Sequence, residues 1–410
     1  MTRVIRCGRL IDGTGADPVE GVTVVVGDDG VITGIGRDLP VPAGATVTDA
    51  SAHTVLPGLI DCHVHLVTLA GRTLAERLAT PYSLGVAEGY VNAEKMLRAG
   101  FTTVRDLSGM PLGGKMALDR GLFPGPHLKI AVAALSQTAG HGDQTTLSGV
   151  CTQVADPEHP RTVVDGADEV RRAARELLRA GADQIKVYTS GGVMSDHGGP
   201  GTVGFSREEV VAAVEVAHTA GKPVAAHAIS AGGIRLAVEA GVDSIEHGMF
   251  LDDETIAAMV RRGTYLVPTL LAPVWIRRRA ERQPGSVPAH MLAKVETVVE
   301  AHTASFRRAV EAGVRIAFGT DTGVVPHGSG AEELELMVRY GMTPMDALVS
   351  ATRTAAELTG VAGQTGTLTV GRRADLLIVA GDPLADITVL ARPGAVRGVA
   401  KSGVFHVEEM

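Results

Sequence analysis

The chain has 410 residues, 45% of them hydrophobic and 20% charged, with a formal net charge of −8. This length suits one domain of about 250 to 300 residues plus a smaller one. The acidic excess and the lack of a basic patch exclude nucleic acid and acidic membranes as expected partners. Cys7, Cys62 and Cys151 show no paired spacing, so neither a disulfide framework nor a cysteine zinc site is expected. No apolar leader follows Thr2-Arg3 and no apolar span reaches about 18 residues, so a soluble, cytoplasmic protein without membrane partners is expected.

Residues 1 to 53 read as short strands and tight turns. Residues 22–26 form a valine-rich strand, Gly27-Asp28-Asp29-Gly30 a hairpin turn, and 31–36 the returning strand. Strand-like sequence returns at 366–368 and 374–379, followed by the turn Gly381-Asp382-Pro383-Leu384. Neither end can bury much alone. The economical expectation is one small β-sandwich domain, residues 1–55 and 362–410, assembled from both termini; two separate mini-domains are the alternative.

Between the termini, strands and helices alternate. Candidate strands are 56–61, 102–106, 128–133, 184–187, 223–226, 243–245, 265–268 and 315–318. Helical stretches lie at 167–180 and 207–219, the second opened by Ser206 with Glu209 three residues on, a capping-box pattern. Ala-Gly pairs at 99–100, 180–181, 220–221, 240–241 and 312–313 close helices just before strands. The predicted fold is α/β, a (β/α)8 TIM barrel over residues 56–361. A doubly wound open sheet is the competitor, weakened because no Gly-rich dinucleotide or phosphate loop follows the early strands. Long loops at 136–161 and 190–204 fall where barrel enzymes hold substrate.

Chemistry gathers at the predicted strand ends. The run Val55-Leu56-Pro57-Gly58-Leu59-Ile60-Asp61-Cys62-His63-Val64-His65 places two imidazoles two residues apart, on one face of a buried strand. Each neutral ring leaves a polar nitrogen to satisfy, and a metal would satisfy it; a chance pair of histidines is the bland alternative. Strand four carries Lys186, strand five ends at His227, strand six at His247 and strand eight at Asp321. Four imidazoles and a carboxylate form an ordinary ligand set for zinc or a similar divalent ion. An unmodified lysine beside divalent cations would be repelled and is costly to bury. It either pairs with an acid outside the barrel or carries a CO2-derived carbamate, N6-carboxylysine, able to bridge two metals.

With these motifs in place, the sequence resembles the amidohydrolase superfamily, in its branch of imidazolonepropionase-like, prolidase-like and ochratoxinase-like enzymes, over essentially its whole length. The resemblance implies a binuclear centre. One metal would be held by His63, His65 and Asp321, the second by His227 and His247, with carboxylated Lys186 and a hydroxide between them. It implies Asp321 as proton shuttle, His141 in the loop after strand three as carbonyl or oxyanion contact, and self-association, up to octamers or rings.

Tyr188 lies on the same strand face as Lys186 and is a substrate-binding candidate, with packing as the alternative. Ile229 stands where relatives carry an aromatic residue or histidine two residues after the strand-five histidine, which unsettles simple transfer of substrate-carboxylate recognition. His327 is a weaker substrate contact, and His197, like it, reads as a loop-surface residue. Arg105-Asp106 reads as a structural pair below the metals. The expected reaction is hydrolysis of an amide bond in small N-acyl amino acids or dipeptides, Xaa-Pro dipeptides among them. Cyclic or xenobiotic amides are the second enzymatic choice; imidazolone hydrolysis is disfavoured by the lysine. A noncatalytic binding module is the reading from a different class.

Overall fold

The computed structural model describes residues 2–68, 72, 74–146, 148–152, 158–194 and 198–409. Two kinds of sheet follow from two kinds of sequence pattern. Strands β1 (Arg3–Leu10), β2 (Val19–Val26), β3 (Ile32–Gly36) and β4 (Thr46–Pro57) come from the N-terminal end. In the C-terminal half of β2, Val22, Val24 and Val26 are buried while Thr23 and Val25 are partly exposed, the period-two alternation of a sheet packed on one face. The β2–β3 turn is closed by a hydrogen bond from the Gly27 N–H to the Val31 carbonyl at 2.8 Å.

The central segment is α/β. Its strands are β5 (Leu59–Val64), β6 (Phe101–Asp106), β7 (His127–Ile130), β8 (Ala134–Leu135), β9 (Ile185–Tyr188), β10 (Val224–Ala228), β11 (Ser244–His247), β12 (Tyr265–Val267) and β13 (Arg315–Ile316). Every residue of β5, β6, β10 and β11 is buried, which marks strands covered on both faces. They pair in parallel and in sequence order, as β5-β6-β7 and β8-β9-β10-β11-β12-β13. Backbone hydrogen bonds also run from Cys62 N–H to the Phe318 carbonyl (2.9 Å) and from Asp321 N–H to the His63 carbonyl (2.9 Å), tying β5 to the segment after β13.

Helices Ala167–Arg179, Arg207–Thr219 and Ala231–Ala240 pack in sequence along the six-stranded sheet. The Ser206 capping box is present in full: Glu209 Oε2 accepts from the Ser206 N–H at 2.7 Å, and Ser206 Oγ from the Glu209 N–H at 3.4 Å. Among the described residues, no helix is long and apolar enough to cross a membrane.

The chain returns to the first sheet through β14 (Leu376–Val379), β15 (Val396–Lys401) and β16 (Val404–Glu408). β14 pairs antiparallel with β4, Pro57 opposite Leu376 and Val55 opposite Ile378. Strands from both chain ends therefore share one seven-stranded sheet, ordered β16-β15-β14-β4-β1-β2-β3. Ile5, Val22, Val24, Val55, Leu376 and Ile378 belong to a core cluster on it, separate from the larger core between the parallel strands and their helices.

Most expected strands shift by one or two residues at their ends, and three differ more. The run expected at 56–61 serves two sheets: Gly58 donates to the Asp375 carbonyl and Leu59 to the Gly100 carbonyl, each at 2.9 Å, so β4 ends at Pro57 and β5 starts at Leu59. A Cβ on Gly58 would lie 2.2 Å from Thr102 Oγ1, so only glycine fits this crossing. The strand expected at 128–133 ends with β7 at Ile130; Val132, with a φ of 64°, interrupts it, and strand pairing resumes only in β8 beyond the expected end. The eighth, expected at 315–318, is regular only over Arg315–Ile316.

Candidate metal centre

The strand-end positions do meet. His63 Nε2 lies 3.4 Å and His65 Nε2 3.5 Å from the same Asp321 oxygen. The His63 ring centroid is 5.4 Å from that of His65 and 5.1 Å from that of His247. The His247 ring lies 4.6 Å from His227, and His227 stacks on His141 at 4.4 Å. All five imidazoles line one cavity of ≈ 150 Å³ with Lys186, Tyr188, Ile229 and Asp321. His63, His247 and Asp321 offer donor atoms that all lie within 4.8 Å of one another.

Local backbone explains how neighbours in sequence reach the same point. In a regular strand Glu246 and His247 would face opposite sides. His247 has a φ of 73°, which breaks the alternation, and both side chains meet His63. Asp321 (φ 57°) and Thr269 (φ 51°) are also left-handed. Each such non-glycine residue costs on the order of 1–3 kcal/mol, strain that accumulates where geometry is functional.

The hydrogen bonds decide which ring nitrogen each imidazole offers. Nδ1 is engaged in His63 (Glu246 Oε2, 2.8 Å), His65 (Ser108 carbonyl, 3.1 Å) and His247 (Thr269 Oγ1, 2.7 Å), which leaves Nε2. In His227 it is Nε2 that meets the Gly191 carbonyl, at 3.2 Å, leaving Nδ1. Burial holds His63, His227 and His247 well below the usual imidazole range, and His141 at about 4, so these rings are neutral at pH 7. Lone pairs on neutral rings are what a divalent ion binds.

Lys186 is the odd member. Its ammonium is buried without a hydrogen-bond partner, and burial lowers its pKa to about 8. An orphaned buried amine among histidines, beside a carboxylate, is costly unless modified or ligated. His141 Nδ1 is likewise buried and unpartnered. The donor set fits a divalent cation: neutral nitrogens, one carboxylate, and a lysine with nothing else to bind.

The other expected residues divide. Tyr188 lies 5.0 Å from His141 by ring centroids, and burial pushes its phenol up to about 12. Ile229 is buried in the cavity wall and donates its backbone N–H to Ser190 Oγ at 2.8 Å. His327 is not brought into this cavity. It binds the His65 backbone carbonyl at 3.0 Å and lines a second cavity of ≈ 380 Å³, which shares Met194, Ile276 and Val324 with the first. His197 lies outside the described residues.

Arg105 and Asp106 are buried and stay out of the cavity lining, in line with a structural role, but each has its own partners. Neighbours on a strand point apart, so Arg105 reaches Glu246 at 2.8 Å, while Asp106 accepts backbone N–H groups of Leu66 (2.7 Å) and Ser108 (3.2 Å). Glu246, Thr269 and the helix Leu271–Arg282, which supplies Ala272, Pro273 and Ile276 to the wall, escaped the sequence reading. Glu246 had a signal, an acid one residue before a candidate ligand on an apolar strand. Thr269 and the helix had none.

Comparison with known proteins agrees with this geometry. The profile of the amidohydrolase family matches residues 54–405. Ochratoxinase from Aspergillus niger is 36% identical, over 98% of this chain and 85% of that protein. Its crystal structure superposes with a TM-score of 0.85 at 32% identity, covering 99% of this chain and 96% of that one. A Xaa-Pro dipeptidase with bound methionine superposes with a TM-score of 0.90 at 34% identity, over 99% of this chain and 100% of that one. A prolidase complexed with N-methylphosphonate-L-proline gives 0.91 at 32% identity, over the full length of both chains.

Proposed function

The chain belongs to the amidohydrolase family, and we propose that it hydrolyses the amide bond of small N-acyl amino acids or dipeptides, Xaa-Pro included, with two divalent metal ions, zinc being the best match to its ligands. The observation that carries this reading is the convergence of His63, His65, His227, His247, Asp321 and an unpartnered Lys186 on one cavity. His63, His65 and Asp321 would hold one ion, and His227 and His247 the other. Lys186, as its N6-carboxy form, would stand between them. When bound, such a pair supplies Lewis acidity that makes water nucleophilic near neutral pH and polarises a carbonyl.

The chain's own groups do the rest. Asp321, 3.4 and 3.5 Å from two imidazoles, accepts the proton of the attacking water. As the new C–O bond forms and the C–N bond breaks, it returns that proton to the leaving nitrogen; an amine departs with the carboxylic acid, whose remaining proton is lost to solvent to leave the carboxylate. His141, kept neutral by burial, offers an N–H donor to the carbonyl oxygen as charge develops there. Tyr188 borders the same space.

A second reading, hydrolysis of a bulky apolar or xenobiotic amide, is favoured by one observation. Val193, Met194, Ile229, Met249, Ile276 and Val324 make the rest of the wall apolar, and Lys186 is its one cationic side chain among the described residues.

We also read residues 56–361 as a (β/α)8 barrel, supported by the sequential parallel pairing and the hydrogen bonds from β5 to the segment after β13. Residues 1–55 and 362–410 are read as a composite β-sandwich domain, supported by the shared sheet and its own core cluster. Self-association belongs to the proposal on family resemblance, and a cytoplasmic location on the sequence reading alone.

The test is a screen of metal-loaded protein against Xaa-Pro dipeptides, N-acyl amino acids and neutral aryl amides, with elemental analysis. Amine release from the first two and about two ions per chain are expected. Activity confined to neutral or cyclic amides would overturn the substrate class, and a chain that takes up no metal would overturn the mechanism.

A further inference from the structure

Arg105 and Lys186 are among the largest fully buried side chains of the protein. The metal reading employs Lys186; it gives Arg105 nothing to do. Arg105 donates to Glu246 Oε1 (2.8 Å), to Ser244 Oγ (3.2 Å) and to the Cys62 carbonyl (2.6 Å). Ser244 Oγ donates to the same Glu246 oxygen at 2.6 Å. The other oxygen of Glu246 faces His63 Nδ1 at 2.8 Å. Neither Arg105 nor Glu246 lines the cavity, and both are 0–1% exposed.

A fully buried guanidinium–carboxylate pair is a poor source of stability, because well-packed apolar residues of similar volume do as well or better. What apolar residues cannot do is hold an imidazole in one tautomer. A carboxylate only accepts, so His63 must carry its proton on Nδ1 and aim its Nε2 lone pair at the Asp321 side of the cavity. The partners of His65 and His247 are a carbonyl and a hydroxyl, both uncharged. Of these three rings, only His63 has an anionic partner on Nδ1. Donation to an anion raises the basicity of the opposite nitrogen and fixes ring orientation.

We infer that Glu246, locked by Arg105, is a positioning residue for His63: it selects the tautomer, fixes the ring and strengthens Nε2 as a donor to a divalent metal. The inference rests on the metal-centre reading above. Arg105 keeps Glu246 in place through a direct bond to Oε1 and a second path through Ser244, whose hydroxyl donates to the same oxygen, and it balances the carboxylate's charge.

The experiment measures zinc affinity by competition with a chromophoric chelator, with circular dichroism on every variant. Glu246→Gln should weaken zinc binding about 10–100-fold, while Glu246→Asp, which keeps the charge, should recover part of that loss. If Glu246→Gln does not fold, the neutral pair R105Q/E246Q removes both charges together and should show the same weakening. Ile5→Ala, a core truncation in the seven-stranded sheet, controls for destabilisation and should bind zinc as the wild type does. Wild-type zinc affinity in a folded E246Q or R105Q/E246Q variant would overturn the inference while leaving the metal centre standing. Absence of zinc binding by the wild-type chain would overturn both.

Discussion

The seven-stranded sheet and the strand-end cavity obey opposite rules. In the sheet, apolar side chains such as Ile5, Val24 and Ile378 face the core, and charges stay near the surface in pairs such as Arg9–Glu20 at 2.7 Å. Such exposed pairs contribute about 0–1 kcal/mol each, so burial holds this region together. In the cavity, His63, His227, His247 and Lys186 are buried, two polar atoms lack partners, and His247, Asp321 and the neighbouring Thr269 adopt left-handed backbone. The sheet spends its residues on stability. The cavity sets aside local preference so that donor atoms from distant strands can meet, which is where conflict between local and global order is expected.

That contrast predicts a separation of effects. The largest belongs to Asp321→Asn, which keeps the shape and removes the proton acceptor. Turnover should fall about 10²–10⁴-fold with much of the metal retained. Steady-state rates and metal content check this, and retained turnover would end the role assigned to Asp321.

Ile5→Ala should do the reverse. Truncating a side chain with 0% exposure is expected to cost about 2–5 kcal/mol of unfolding free energy, with kcat unchanged at temperatures where the variant is folded. Denaturant melts read the first quantity; a loss of kcat in the folded protein would show that the two regions are coupled.

The smallest effect sharpens the boundary. Glu333 is buried beneath the cavity wall and accepts the backbone N–H groups of Leu270 (2.8 Å) and Leu271 (2.6 Å). Burial pushes it up to about 8 from an ordinary 4.5. A raised folded-state value means the native state holds a proton that the unfolded chain releases. The contribution is therefore fully present below about 4.5 and is lost as pH rises towards 8. Glu333→Gln should destabilise by about 1–3 kcal/mol near pH 5 through the lost hydrogen bond. The gap to wild type should narrow as pH rises to 8; thermal melts that show it widening would reverse the assignment.

Much of the site could be read without coordinates because strand ends leave a linear trace. His63 and His65 share a face by alternation, Lys186, His227 and His247 each lie in or close an apolar strand, and Asp321 follows the apolar run after the eighth. Alternation also argues against pairing Arg105 with Asp106, yet nothing in one strand names the partner across the interior. Glu246 lies 141 residues from Arg105 and 183 from His63. Thr269 and the wall residues of the helix Leu271–Arg282 depend on the packing of that helix, which no spacing encodes. His327, plausible as a contact from its loop, was claimed by the His65 carbonyl instead.

Local order in the chain, then, determined the alternation of strands and helices, the return of the C-terminal end to strand, and the identity of the ligand candidates. All of these follow from short-range periodicity and capping. Only the tertiary structure decided that Gly58 splits one apolar run between two sheets, that His247 turns back towards His63, and which nitrogen each imidazole presents. Those outcomes depend on contacts between residues far apart in sequence, where backbone strain and buried hydrogen bonds are settled by the whole fold at once.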